Sequence, residues 1–123
     1  MGEEDARVRS EGLSPPDKSP LRDAATVIML RDARTAPKVL MGQRGAAAAF
    51  MPNKFVFPGG AVDDVDAAVP LSPPLNPACD ARLKDRADPA LASALVAAGI
   101  REVWEETGLI LGRPGDWPAD APK

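Results

Sequence analysis

Histidine is absent from this chain of 123 residues, and cysteine occurs only once, as Cys79. Without an imidazole group, the protein cannot use histidine as a catalytic base, a metal ligand or a member of a nucleophile triad. A single cysteine forms no intramolecular disulfide and gives no set of thiolate ligands for zinc. Carboxylates therefore remain as the plausible groups for acid–base chemistry or metal binding.

Concentrated positive charge and long apolar runs are also missing. The formal net charge is -3 and the pI is about 4.9, so no basic field attracts a nucleic-acid backbone or an anionic membrane. No apolar run approaches the roughly 20 residues of a membrane span, and the polar N-terminus does not look like a secretory signal. We expect one small cytoplasmic domain that binds neither a nucleic-acid polymer nor a membrane.

Two segments lack hydrophobic periodicity. Residues 1 to about 22 combine charges with three prolines, and they predict a disordered leader in front of a domain that spans residues 23–123. Residues 67–87 contain four prolines. We interpret this second segment as an irregular insertion, a loop rather than a helix or strand.

Short apolar runs predict strands. The runs AATVIML at residues 24–30 and KVLMGQ at residues 38–43 are separated by a polar, turn-like segment, and we expect them to pair. Residues 54–57 predict a third strand that ends at Pro58-Gly59-Gly60. Residues 109–111 can begin one more strand.

The clearest helix is predicted over residues 88–108. Asp88 can cap it, Pro89 suits its first position, and Gly108 gives a C-terminal stop. Its last turns carry Glu102, Glu105 and Glu106.

These three glutamates lie at relative positions i, i+3 and i+4, so their side chains share one helix face. Repulsion between Glu102 and Glu106 alone should cost roughly 0.2–0.5 kcal/mol. A hard divalent cation bound between the carboxylates would make their closeness favourable, because Mg²⁺ and Mn²⁺ take oxygen ligands. The alternative is an ordinary solvated acidic face.

The surrounding residues favour the metal-binding interpretation. The stretch REVWEETGL at residues 101–109 resembles the second half of the Nudix box, G-x5-E-x7-R-E-U-x-E-E-x-G-U, where U is aliphatic. The matching residues are Arg101, Glu102, Val103, Glu105, Glu106, Gly108 and Leu109. The resemblance to the Nudix hydrolase family spans about residues 24–111.

The first half of the box is present in an altered form. If Gly60 is the opening glycine, Asp66 takes the place of the glutamate. The 34 residues between Asp66 and Arg101 far exceed the seven of the family pattern, and counting seven back from Arg101 places Ser93 there instead. We prefer Asp66, because an insertion before the helix still lets the two halves of the box meet.

The resemblance implies an α/β fold, with a mixed sheet sandwiched by helices and the box forming the active site. It implies Mg²⁺ or Mn²⁺ bound by Glu105 and Glu106, while Glu102 either joins them or acts as the base that orients the attacking water. The Gly60 carbonyl is a further ligand candidate. Arg101 would orient the glutamates through charge-assisted hydrogen bonds.

Other positions have weaker assignments. Arg44 and Lys54 could meet phosphates, although single basic residues beside strands are usually just solvated. Asp66 is a weak candidate for contact with substrate. We expect Val103 and Trp104 to pack in the core, with base stacking by Trp104 as the alternative.

The expected substrate is a small-molecule diphosphate. The FVFPGG lead-in with Asp63 and Asp66 also looks like a Nudix subgroup that acts on coenzyme A, while nucleotide-sugars and ADP-ribose are further possibilities. The family fold needs more strands and a second helix after the box, so we expect a C-terminally truncated domain that is oligomeric or loosely folded by itself. Three hypotheses stay open: a diphosphatase, a non-catalytic nucleotide- or metal-binding module, and an inactive fragment.

Overall fold

The computed structural model describes residues 20–49 and 51–116, so most of the predicted leader lies outside the described residues. The α/β class is confirmed by short strands and two α-helices. The strands are β1 (Ala24–Thr26), β2 (Leu30–Arg31), β3 (Lys38–Val39), β4 (Gly42–Gln43), β5 (Phe55–Val56) and β6 (Gly59–Ala61). A 3-10 helix (Asp64–Ala68) is followed by α1 (Pro77–Lys84) and α2 (Leu91–Thr107). Neither of these α-helices has the length and apolar character that a membrane span requires.

The strands described here pair as three antiparallel ladders, β1 with β6, β2 with β3 and β4 with β5. Pairing between the first two apolar runs is confirmed where Leu30 lies opposite Val39. The beginning of the first run pairs differently, because Ala25 lies opposite Gly60. The glycines that open the box are therefore part of the sheet on which α2 packs.

The third predicted strand ends before Pro58 as expected, because β5 stops at Val56, but Gly59 and Gly60 begin a further strand, β6, instead of a turn. Gly59 has a φ of 152°, in a region that residues with a Cβ rarely adopt. A Cβ on Gly59 would also collide with the carbonyl oxygen of Ala25. Glycine thus allows the chain to continue as β6 in close contact with β1, although the sequence pattern is typical of a turn.

One face of α2 forms the core. Its buried apolar residues are Ala92, Ala94, Ala97, Ala98 and Val103. Their small side chains let the helix lie close to the sheet, and even a Cβ on Gly99 would come within 3.0 Å of Val27 Cγ2. As predicted, α2 ends at Gly108, which has a φ of 72° and donates its N–H to the Trp104 carbonyl.

The segment predicted to be irregular contains a helix, α1, so the loop prediction was wrong over Pro77–Lys84. The Asn76 side chain caps this helix by accepting a hydrogen bond of 2.8 Å from the Ala78 N–H. Pro77 occupies the first helical position, where its missing N–H costs nothing. The prolines therefore precede or begin the helix instead of interrupting it.

Five large apolar side chains in or beside the ladders β2–β3 and β4–β5 are exposed. We call this set the outer face, and it consists of Ile28, Leu30, Val39, Met41 and Phe55. Leu109, Ile110 and Leu111 are exposed as well and form no strand, contrary to expectation. These three residues thus form an exposed apolar stretch, while residues 117–123 lie outside the described ranges.

Candidate active site

Arg101 lies at the centre of the site and holds a buried carboxylate. Asp66 is only 1% exposed. It accepts hydrogen bonds from Arg101 Nε at 3.1 Å and Nη2 at 3.0 Å, and from the Asp63 N–H at 2.8 Å. Nη2 also donates to the Ala61 carbonyl at 2.9 Å. Arg101 therefore connects α2 to both β6 and the 3-10 helix.

This pairing defines the charge state of both groups. The hydrogen bonds from Arg101 hold the pKa of Asp66 below its usual value, although burial opposes the shift. The hydrogen bond from Arg101 to Asp66 in turn raises the pKa of the guanidinium. Because both Asp66 oxygens are engaged and buried, the structure places this residue as the partner of Arg101 and away from a surface open to substrate. Asp66, and not the exposed Ser93, meets Arg101.

The glutamates lie around the other side of the guanidinium. Arg101 Nη1 donates to Glu102 Oε1 at 2.9 Å and to Glu105 Oε2 at 3.1 Å. Glu106 Oε2 accepts the Gly59 N–H at 3.1 Å. The hydrogen bonds that we expected from Arg101 are therefore present for two of the three glutamates, and its positive charge offsets their mutual repulsion.

Gly60 makes room for one of these carboxylates. A Cβ at this position would collide with the carboxylate of Glu102, so only glycine lets that side chain lie against the β6 backbone. The Glu102 side chain is 16% exposed, compared with 53% for Glu105. Glu102 is thus held between Arg101 and Gly60, while Glu105 is largely free to move.

The donor set is chemically suited to a hard divalent cation, because it consists of carboxylate and carbonyl oxygens. Within the described ranges, no group of three or more acidic, histidine or cysteine side chains is arranged to hold an ion. Glu105 points to Arg101 and Glu106 to the Gly59 N–H. To complete a metal site, Glu105 would have to turn away from Arg101, which its exposure permits.

A cavity of about 540 Å³ opens beside this cluster, within the usual size range of ligand sites. Its lining includes Glu106 and Thr107 at the end of α2 and Arg44, the residue that follows β4. The structure thus brings Arg44 to the cavity beside the glutamates. The other basic candidate, Lys54, is exposed and does not line this cavity.

Two neighbours on α2 have different environments. Val103 is fully buried, as predicted. Trp104 is 54% exposed, so the prediction that it packs in the core was wrong. The sheet, the 3-10 helix and α1 pack on α2, and its buried face is the one formed by alanines and Val103.

Two backbone groups that complete the site, the Gly59 N–H and the Ala61 carbonyl, were not predicted from the sequence. The hydrogen bond from the Asp63 N–H to Asp66 was not predicted either. An acidic residue followed three positions later by a second acceptor resembles a capping box. That spacing was therefore a usable signal.

Comparisons with known proteins place this geometry in a family. No family model matches the chain. A curated Caenorhabditis elegans protein that is named as nudix hydrolase 7 is 34% identical over 100 residues, which cover 81% of this chain and 25% of that protein. The crystal structure of a NUDIX hydrolase from Alicyclobacillus acidocaldarius is 29% identical, with a TM-score of 0.53 over 76% of this chain and 40% of that one.

The chain therefore spans about a quarter of the curated relative and two fifths of the solved protein. The matched fold is a Nudix fold, of which the described strands and helices form a part. The residues of the box, although interrupted in sequence, meet where Arg101 contacts Asp66 and Glu102 contacts Gly60. Together with these two similarities, this shows that the chain belongs to the Nudix hydrolase family.

Proposed function

We propose that this chain carries the glutamate helix of a metal-dependent hydrolase, which cleaves the diphosphate linkage between a nucleoside diphosphate and another group. The observation that carries the proposal is a cluster beside a cavity of ligand size, in which Glu102 and Glu105 bond to Arg101 while Glu102 and Glu106 lie against Gly60 and Gly59. Both similar proteins are named as Nudix hydrolases. Coenzyme A is the first candidate substrate, because of the FVFPGG lead-in, followed by nucleotide-sugars and ADP-ribose.

Glu102 is the proposed catalytic base. Its carboxylate is held by Arg101 at 2.9 Å and lies against Gly60, so it has a defined orientation. A carboxylate so positioned can accept a proton from a water molecule as the water attacks phosphorus and the bond to the bridging oxygen breaks. Glu105, Glu106 and the Gly60 carbonyl would hold Mg²⁺ or Mn²⁺, which offsets the charge that develops on the phosphate oxygens.

Arg101 is a positioning residue in this mechanism. A guanidinium has five N–H donors, and here they serve Asp66, the Ala61 carbonyl, Glu102 and Glu105 through all three nitrogens. In this arrangement no donor is left for a phosphate, and a turn of Glu105 toward a metal would free only the Nη1 N–H that now serves it. Arg101 therefore acts on the reaction through the orientation of Glu102.

The test is the turnover of a diphosphate panel with Mg²⁺ or Mn²⁺, comparing the wild type with Glu102→Gln. We expect kcat to fall at least about 100-fold, the typical contribution of a general base, with little change in KM. The exposed Asp85→Asn at the end of α1 is the control and should keep wild-type kinetics. Equal activity of Glu102→Gln removes this residue from the mechanism, and a wild type that hydrolyses no diphosphate overturns the enzymatic proposal.

A non-catalytic binding module is the second candidate. It is favoured by the orientation of two glutamates, since Glu105 is turned to Arg101 and Glu106 to the Gly59 N–H instead of to a common point. A thermal melt with millimolar Mg²⁺ or Mn²⁺ tests binding separately from turnover. A higher Tm that is lost in a Glu105→Gln, Glu106→Gln double variant, without hydrolysis, supports the module, whereas neither shift nor turnover supports an inactive fragment.

A further inference from the structure

A small apolar cavity, which we call the ladder cavity, lies beside the β2–β3 ladder and outside the glutamate cluster. Its volume is about 270 Å³, slightly below the roughly 300–1,000 Å³ of sites for drug-sized ligands. The half-buried Met29 and Leu40 and the exposed Leu109 line it together with other residues of the ladder, and its wall is mostly apolar. The ladder cavity therefore suits a short aliphatic chain.

Two cations belong to the same wall. Arg31 and Lys38 also line the ladder cavity, and they lie directly opposite each other in the ladder. Since side chains alternate along a strand, both lie on the same side of the ladder as Met29 and Leu40. Like charges at opposite positions of a ladder are destabilising. An anion bound between them would make their closeness favourable.

The charges beside the ladder cavity indicate a monoanion. Asp32 Oδ2 lies 3.5 Å from Arg31 Nε and offsets part of its charge. Among the residues that the structure describes, no carboxylate lies within ion-pair distance of Lys38. These three side chains together carry a single positive charge, which a carboxylate neutralises and a dianionic phosphate exceeds. A carboxylate can also offer one oxygen to each cation.

We propose that the ladder cavity binds a short fatty acid, with the aliphatic chain along the apolar wall and the carboxylate between Arg31 and Lys38. The chain would replace water at that wall, which is the main source of favourable free energy. Leu40 also lines the cavity beside Glu106, so the two cavities adjoin. Binding of the fatty acid requires no hydrolysis and is independent of the proposed enzymatic activity.

Calorimetric titration of the whole chain with octanoate tests this proposal at pH 8, where octanoate is a monoanion and octyl phosphate is mostly a dianion. Each buried CH₂ group tightens binding by up to about fourfold. Hexanoate, which is two groups shorter, should therefore bind at least about fivefold more weakly than octanoate. Octanol lacks the charge, and octyl phosphate carries a charge in excess, so both should also bind more weakly.

Variants test the two cations. Arg31→Gln and Lys38→Gln should each weaken octanoate binding about two- to fivefold, as expected for exposed ion pairs, and the double variant should weaken it further. Arg34→Gln removes the same charge from the turn after β2, at a position that does not line the ladder cavity, and should bind like the wild type. Phe55→Gln removes an exposed ring of the outer face and should also bind like the wild type. Without ligand, Lys38→Gln should melt at the same temperature or higher, because it removes one of two opposed like charges.

Each part of the proposal can be overturned by itself. Equal affinity for hexanoate and octanoate would show that the chain does not enter the ladder cavity. Equal octanoate affinity of the wild type and the Arg31→Gln, Lys38→Gln double variant would show that the cations do not hold the carboxylate. Tighter binding of octanol or octyl phosphate, loss of binding in Phe55→Gln, or no binding of octanoate at millimolar concentrations also overturns the site. A lower Tm of ligand-free Lys38→Gln contradicts it as well, because Lys38 would then stabilise the ladder without an anion.

Discussion

Two regions of the molecule are stabilised in different ways. We call α2, β1, β6 and the 3-10 helix the box region. The two ladders β2–β3 and β4–β5 together are called the outer sheet. In the box region, Val103 and Asp66 are fully buried and Arg101 bridges three elements. In the outer sheet, each strand has two residues, and Leu30 and Phe55 are 58% and 66% exposed.

The difference shows that the candidate active site spans a well-packed region and a sparsely packed one. The glutamates and Arg101 come from the box region, whereas Arg44 reaches the cavity from the end of the outer sheet. Local opening requires least free energy where few apolar groups are buried. We therefore expect the proposed catalytic groups to stay in place while the β4 side of the cavity moves more easily.

The largest effect should follow from breaking the central ion pair of the box region. Arg101→Met leaves Asp66 buried without a counter-charge, and we expect a loss of about 3 kcal/mol in the free energy of unfolding. This is a large part of the total for a small domain. Urea unfolding at neutral pH measures it, with Arg34→Met as a control at an exposed arginine.

A double variant tests the cause of that loss. Arg101→Met combined with Asp66→Asn carries no buried charge, so it should be more stable than Arg101→Met alone. If the double variant is less stable than Arg101→Met, the loss of stability in Arg101→Met comes from the packing of the arginine side chain. The box region would then not depend on its buried ion pair. If the free energy of unfolding falls as much in Arg34→Met as in Arg101→Met, the ion pair with Asp66 does not explain the loss.

A valine-to-threonine substitution can be made in each region, at Val103 in the box region and at Val39 in the outer sheet. Val103→Thr puts a hydroxyl into the core and should cost about 1–3 kcal/mol, whereas Val39→Thr, at a position 46% exposed, should stay within about 0.5 kcal/mol. The same unfolding measurement checks both. Equal losses of unfolding free energy in the two variants would mean that the outer face is covered in solution. The two regions would then not differ in burial.

The difference between the regions also explains which features could be predicted from the sequence. The helix α2 follows from local signals, namely its apolar period and the stop at Gly108. The pairing of β1 with β6 joins distant residues through glycines that are typical of a turn, and it was missed. Exposure of Trp104 could not be predicted, because it depends on which elements cover α2.

The residues of the candidate site also differ in whether they could be predicted from the sequence. Arg101 and the three glutamates were identified because their spacing on one helix matches the second half of the Nudix box. Asp66 is separated from Arg101 by 34 residues, and only resemblance to the family joined the two. The position of Arg44 beside Glu106 depends on how β4 and α2 meet in space. No local pattern contains that information.

The smallest expected effect concerns pH and again separates the box region from exposed positions. The hydrogen bonds from Arg101 lower the pKa of Asp66 in the folded protein below the usual range of an aspartate. A lowered pKa contributes stability that is present above the unfolded pKa and is lost as the pH falls through the folded pKa. The free energy of unfolding should therefore decrease below about pH 4.

Urea unfolding from pH 6 to pH 3 should show a shallower decrease for Asp66→Asn than for the wild type, because that variant has no carboxyl group to protonate there. Asp64→Asn, an exposed position in the same 3-10 helix, should keep the slope of the wild type. Identical slopes for the wild type and Asp66→Asn would show that the buried pair does not couple protonation to folding.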